Sequence, residues 1–202
     1  ARIIYNDAIV TVFALGSIYA SEVIWINYSD GAIFDKIFLF GIILNIAAGI
    51  GAFLFGFLDD LIGGKATIQI TNLGFFISCL LAVIAPAIVY EDLILGLEIS
   101  EFLFWIAGCL IGVFSGPNQA ASRSLMGRLT PPNKENEFYG FYAFSGKATA
   151  FIGPLLYGII QDTTGRHEYA LIVIGFLFLL GFILLRTVDE KEGIENSTTG
   201  IS

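Results

Sequence analysis

Two ionisable side chains, Asp7 and Lys147, lie inside long apolar runs of this 202-residue chain. A charge at the centre of a bilayer costs about 2.5–3.5 kcal/mol on insertion scales, so it persists only with a partner, water or a ligand. Lys147 lies near the middle of its run, too deep for its ammonium to snorkel easily to an interface. Asp7 lies about one turn into the first run, where a helix-terminal role competes with a binding role. Asn6 stands beside it. A third run carries Ser115, Asn118, Gln119 and Ser122 at i, i+3, i+4 and i+7, a single polar face. These groups donate, accept and pair with charge. They suit recognition of a polar solute or ion, or bonding between helices.

Bond-breaking chemistry is not expected. The chain has no H-E-x-x-H, no G-x-S-x-G and no P-loop. Cys79 and Cys109 both sit in apolar runs and read as small hydrophobic filler, and the single histidine, His167, is in a loop. No catalytic residue, no metal site and no cofactor follow, and an enzyme is not expected. The net charge of −8 argues against nucleic acid, whose phosphates require basic patches.

The elements that must position these residues are membrane spans. Apolar residues make up 56% of the chain, charged residues 14%, and the mean hydropathy is +0.80. An ordinary soluble domain carries about 25% charged residues. A bilayer core about 30 Å thick needs about 20 apolar residues per helix. Six segments meet that need: residues 4–23, 37–58, 66–90, 102–122, 138–160 and 169–185. Lipid is therefore one partner, and the fold class is an all-α membrane protein of six spans.

Orientation follows from Lys and Arg. Arg2, Lys65, Arg123, Arg128, Lys134, Arg186 and Lys191 fall on one side, and only Lys36 and Arg166 on the other. The first side is predicted to be cytoplasmic, with both termini on it and Arg123 and Arg128 as anchors. The opposite loops are acidic, with Asp30, Asp35, Glu91, Asp92, Glu98 and Glu101. Residues 1–188 are predicted to form the membrane domain. Residues 189–202 are predicted to be a disordered, polar cytoplasmic tail. The start at Ala1, without a basic leader or cleavage site, leads to the expectation of a fragment.

A repeat organises the six spans. Gly56, Asp60 and Gly63, followed by Lys65, match Gly158, Asp162 and Gly165, followed by Arg166, at one constant offset. Each set follows the middle helix of a three-helix unit, about 1–96 and 97–188. An odd helix count inverts the second unit, which gives a 3+3 inverted repeat. The first glycine permits close helix contact, and the aspartate suits a helix N-terminus. The last glycine permits a turn with positive φ. Ala48, Ala52 and Gly56 form a small-residue packing stripe.

The segment Gly56 to Lys65 resembles the loop signature G-x-L-x-D-R-x-G-R-K of the major facilitator superfamily. It departs at Leu61 and Gly64, where the superfamily has Arg. Tyr5, Asn6 and Asp7 look like the start of the seventh helix of the Unknown Major Facilitator family, which includes the autophagy-related vacuolar effluxers of fungi and their bacterial relatives. Gly116 to Leu125 resembles that family's tenth helix, and Glu137 to Lys147, leading to Gly153 and Pro154, its eleventh. The resemblance reaches to about Arg186. It implies the C-terminal half of a twelve-helix secondary transporter, with alternating access, a missing N-terminal six-helix half as partner, and a small polar solute such as an amino acid. Solute or ion binding would fall to Lys147, Asp7, Asn6, Asn118, Gln119, Ser115 and Ser122, with a coupling proton as a further partner. The alternatives are a self-associating half-transporter, or a membrane scaffold or channel.

Overall fold

A computed structural model of the chain describes residues 1–88, 93–94 and 97–199, except the side chains of Leu58, Asp60, Leu93, Ile94, Thr198 and Thr199. Glu91 and Asp92, assigned above to an acidic loop, lie outside the described residues. Among the described residues six helical segments are long and apolar enough to cross a membrane: Arg2–Ile24, Asp30–Phe57, Gly64–Ala87, Ile99–Leu129, Pro132–Thr164 and His167–Arg186. They comprise α1 (Arg2–Tyr19) with a terminal π-helix (Ala20–Ile24), then α2 (Asp30–Ile62) and α3 (Gly64–Ile84). After a short antiparallel pair, Leu93–Ile94 with Leu97–Glu98, come α4 (Ile99–Leu129), α5 (Glu135–Ala148), α6 (Ile152–Thr164) and α7 (His167–Arg186). The chain is a multi-pass integral membrane protein.

Packing follows the repeat. α4 packs against α2 and α3, α1 packs against α6 and α7, and α3 packs against α7. Exchanging α1 with α4, α2 with α5 and α6, and α3 with α7 maps this set onto itself. The core runs along α3, α7, α1 and α4, with Phe75 stacked on Phe178 at 4.7 Å. The second and fifth spans, equivalent under that exchange, are the least covered.

Small residues decide how closely helices approach. A Cβ on Gly116 would come within 2.9 Å of Ala52 and would strike the Ala48 carbonyl, and one on Gly112 would lie 2.6 Å from the Leu44 carbonyl. Ala48 and Ala52 thus do face α4. Gly56 does not: nothing lies within 4 Å of its Cβ position, and the same holds for Gly158. The expected close helix contact of these two glycines is not made among the described residues, because each lies on an uncovered face of its span.

The fifth span is two helices rather than one. Pro154 has no N–H, and its ring clashes with the carbonyl four residues back, which is that of Ala150. The helix stops at Ala148 and restarts at Ile152, where Pro154 falls in the first turn and breaks no hydrogen bond.

The tail expectation is corrected for residues 190–199. Glu190–Thr199 forms α8. Asp189 caps it, its Oδ1 accepting from the N–H of Lys191 at 3.0 Å and of Glu192 at 3.2 Å. Ser197 Oγ then donates to the Arg128 carbonyl at 3.1 Å, which docks the helix on the end of α4. Polar composition alone suggested disorder. A cap and a docking surface supply what composition does not reveal.

Several residues predicted in loops sit in helices: Asp30 and Asp35 at the start of α2, His167 at the start of α7, and two that pair with each other. Lys36 lies in α2 and Glu101 in α4. The Glu101 side chain is buried, and its carboxylate pairs with the Lys36 ammonium. It also accepts from Trp25 Nε1 at 3.1 Å, Tyr28 Oη at 3.0 Å and Trp105 Nε1 at 3.2 Å. These donors satisfy a carboxylate that burial would otherwise penalise.

Candidate functional site

A polar pocket of about 50 Å³ lies between α1, α4 and α5. Its lining is Arg2, Tyr5 and Asn6 from α1, Asn118, Gln119, Ser122 and Arg123 from α4, and Tyr142 from α5. It lies toward the end of the bundle that carries both termini. The spacing of the α4 residues puts them on one face, and the closely packed glycines Gly112 and Gly116 hold that helix against α2.

Hydrogen bonds fix the floor. Tyr5 Oη and Ser122 Oγ are 2.9 Å apart, tying α1 to α4. Asn118 Nδ2 donates to Thr71 Oγ1 at 2.8 Å and to Asn72 Oδ1 at 3.1 Å, tying α4 to α3. Its Oδ1 is buried without a partner. At the rim, the Arg2 guanidinium stacks 3.5 Å from the Tyr142 ring centroid. It donates to the Tyr142 carbonyl at 3.0 Å and to Ser145 Oγ at 3.1 Å. Asn6 Nδ2 donates to the Gly146 carbonyl at 3.3 Å. Gln119 and Arg123 are exposed, and among the described residues Arg123 has no ion pair.

The structure thus brings Asn6, Asn118, Gln119 and Ser122 together. It leaves Ser115 out, because its hydroxyl turns back onto the Gly112 carbonyl of its own helix at 2.9 Å. Asp7 is buried but faces α6, where its Oδ2 lies against Gly153 and its Oδ1 has no partner. Lys147 is exposed at the end of α5 and makes no ion pair among the described residues, with Asp7 or any other group. Sequence reasoning missed Arg2, Tyr5 and Tyr142. A basic residue one turn before the Tyr5–Asp7 segment was the available signal for Arg2.

An apolar cavity of about 40 Å³ lies beside α1, lined among others by Thr11, Tyr19, Phe104 and Ile174. It has room for about one water and few polar partners to hold one. It is a packing void.

The repeated loop motif reads differently in its two copies. Gly63 has φ 87° and Gly165 φ 68°, so both final glycines use the left-handed half of the map. In the first copy the Lys65 ammonium donates to the carbonyls of Val188 at 2.6 Å and Arg186 at 3.2 Å, at the end of α7. That is a favourable place for a cation. Its backbone N–H donates to Glu190 Oε2 at 3.2 Å. Arg128 joins Asp59 Oδ2 at 2.9 Å and Glu190 Oε1 at 3.5 Å. The Asp60 side chain lies outside the described residues, and the described carboxylate of this turn is that of Asp59. Arg128 is therefore more than a topological anchor. In the second copy Asp162 is exposed, and Arg166 pairs with Glu168 at 3.4 Å on the surface, which raises its pKa.

The family described as "Vacuole effluxer Atg22 like" matches residues 1–198. The uncharacterized MFS-type transporter YxiO of Bacillus subtilis (strain 168) is 26% identical over 197 residues, covering 98% of this chain and 41% of that protein. Autophagy-related protein 22 of Cryptococcus neoformans var. neoformans serotype D (strain B-3501A) is 29% identical over 189 residues, covering 92% of this chain and 32% of that protein. The chain thus spans well under half the length of these curated relatives. Among solved structures, the xylose transporter XylE from E. coli in an inward-open conformation superposes with a TM-score of 0.73 at 20% identity, covering 99% of this chain and 50% of that one. The proton:xylose symporter XylE bound to 6-bromo-6-deoxy-D-glucose gives 0.75 at 17% identity over 96% of this chain and 46% of that one. At such identities the likeness speaks for the fold alone. The fold is half of a major facilitator fold, and the chain belongs to the Atg22-like vacuole effluxer family of that superfamily.

Proposed function

We propose that this chain is the C-terminal half of a secondary active transporter that moves a small polar solute, such as an amino acid, by alternating access. The pocket of Arg2, Tyr5, Asn6, Asn118, Gln119, Ser122 and Tyr142 carries this reading. It is polar, built from both repeat units, and at about 50 Å³ far below the 300 Å³ or more typical of a ligand site. A second wall from an N-terminal six-helix half completes it. The sparsely covered second and fifth spans meet that half and the lipid. Lys147, exposed on α5, faces the shared solute path, and a proton serves as the coupling ion. Gly56, Asp60, Gly63 and Lys65 act as the hinge motif on the cytoplasmic side, and Gly158, Asp162, Gly165 and Arg166 as its counterpart on the other. Both termini are cytoplasmic.

The test uses the full-length parent protein in proteoliposomes. Saturable uptake or efflux of a metabolite from a panel of amino acids and other small polar solutes, altered by an imposed proton gradient, is the expected result. Absence of flux for every solute, with the protein inserted and folded, overturns the reading. Topology is checked with Asn133→Cys and Asn27→Cys in a cysteine-free background. An impermeant thiol reagent applied outside intact cells labels Asn27→Cys alone; the reverse pattern overturns the orientation.

A further inference from the structure

The break in the fifth span has a carboxylate against it. The first turn of α6 offers few free amides. Ile152 N–H donates to the Thr149 carbonyl at 2.9 Å, Leu155 N–H to the Phe151 carbonyl at 3.0 Å, and Pro154 has none. The Gly153 N–H remains, and the Asp7 carboxylate lies beside that residue. The approach is close. A Cβ on Gly153 would stand 3.0 Å from Asp7 Oδ2 and would overlap Thr11 Oγ1. Asp7 is 3% exposed, and its other oxygen, Oδ1, is buried without any hydrogen-bond partner. An anion at a helix N-terminus is stabilised by the amides and the dipole there. An unpartnered buried acceptor oxygen is not stabilised by anything.

Other charges do not explain this arrangement. On α1, Arg2 is held by Tyr142 and Ser145, and Tyr5 by Ser122. On α6, Tyr157 is engaged with His167 Nδ1 at 3.0 Å. On α5, Lys147 is the ionisable residue nearest the break, and it forms no pair with Asp7. On α7, His167, Glu168, Tyr169 and Arg186 lie at the helix ends, and residues 170–185 carry no ionisable group.

We propose that Asp7 is a proton-binding site that controls the break in the fifth span. As a carboxylate it caps α6 through Gly153. A proton taken from water onto Oδ1, and returned to water later, removes the charge that burial penalises there and with it the charge that holds the cap. A charge-assisted hydrogen bond is about twice as strong as a neutral one, so the neutral acid releases the first turn of α6 relative to α1. The residues on either side of the break then move as two bodies. This deepens the transport reading above by naming where the coupling proton binds, and the test below does not depend on flux.

The experiment is hydrogen exchange, read by mass spectrometry on peptides covering 149–157, in the full-length parent in lipid nanodiscs. Rates are corrected for intrinsic chemical exchange, and a peptide from within 171–180 serves as the internal reference. Wild type is expected to be protected in mildly alkaline buffer and to exchange about tenfold faster relative to that reference in mildly acid buffer, the loss of one charged hydrogen bond. Asp7→Asn is expected to exchange at the fast rate at every pH. Gly153→Ala, which pushes the carboxylate away, is expected to do the same. Protection in wild type that does not change with pH overturns the proposal without any variant, as does wild-type behaviour in Asp7→Asn. A parent that exchanges as expected but moves no solute sinks the transport reading and leaves this one standing.

Discussion

Gly51 of α2 lies directly against the backbone carbonyl of Val113 in α4, which is the carbonyl that Pro117, four residues on, leaves without its N–H partner. The proline and the glycine work together: one frees an acceptor, and the other lets a neighbouring backbone close over it. A Cβ at Gly51 would overlap that oxygen, and the atoms that must move are backbone.

Gly51→Ala is therefore expected to destabilise the protein by at least about 1–3 kcal/mol, the usual cost of overpacking. Gly56→Ala, five residues on with open space at its Cβ position, is expected to be neutral in the isolated chain. Melting temperatures in detergent decide between them. Equal effects at the two positions would show that α2 and α4 do not approach as described.

Lys36→Met is expected to cost about 3 kcal/mol, at the lower end for an orphaned buried charge, because Trp25, Tyr28 and Trp105 still donate to Glu101. Adding Glu101→Gln to Lys36→Met is expected to recover part of that loss. A double-mutant cycle by chemical denaturation reads the coupling, and independent, additive effects would remove the clamp.

Burial, and then the hydrogen bond to Glu101, raise the Tyr28 phenol above its ordinary value of 10.0. The folded state holds this proton more tightly than the unfolded one. Its contribution to stability is complete below 10.0 and is lost as pH climbs through the folded value. The melting-temperature gap between wild type and Tyr28→Phe is expected to be constant below that pH and to close in stronger alkali. A gap that widens there contradicts the sign.

The ten residues of α8 are too few for a stable isolated helix, so the helix depends on its contacts. Glu190→Gln weakens those to Arg128 and to the Lys65 amide. The expected results are faster amide exchange through residues 190–197 and a change in overall stability of about 1 kcal/mol or less, since the pair is partly exposed. Unchanged exchange would detach Glu190 from the docking of α8.

Lys147→Gln is expected to leave melting unchanged within about 0.5 kcal/mol, as for other exposed positions, yet to lower flux in the full-length parent. Normal flux with normal stability would take Lys147 out of the solute path.

Hydropathy alone located the six spans, because the requirement for about 20 apolar residues is local and each span meets it by itself. The turn glycines Gly63 and Gly165 were legible for the same reason: a positive φ is a property of one residue. The polar face of α4 could also be read from spacing, since helical periodicity puts Asn118, Gln119 and Ser122 together whatever surrounds them. Which of these side chains met a partner on another helix was not legible. Ser115 shares the spacing and turned inward. Arg128 pairs with Asp59, 69 positions away, a partner on another helix that local spacing does not indicate. Glu101 and Lys36 are 65 positions apart and looked like loop charges. Their pairing, the docking of α8 by Glu190 and the approach of Asp7 to Gly153 exist only because the tertiary structure brings distant backbones within a few ångströms, where burial makes each unpaired polar atom costly.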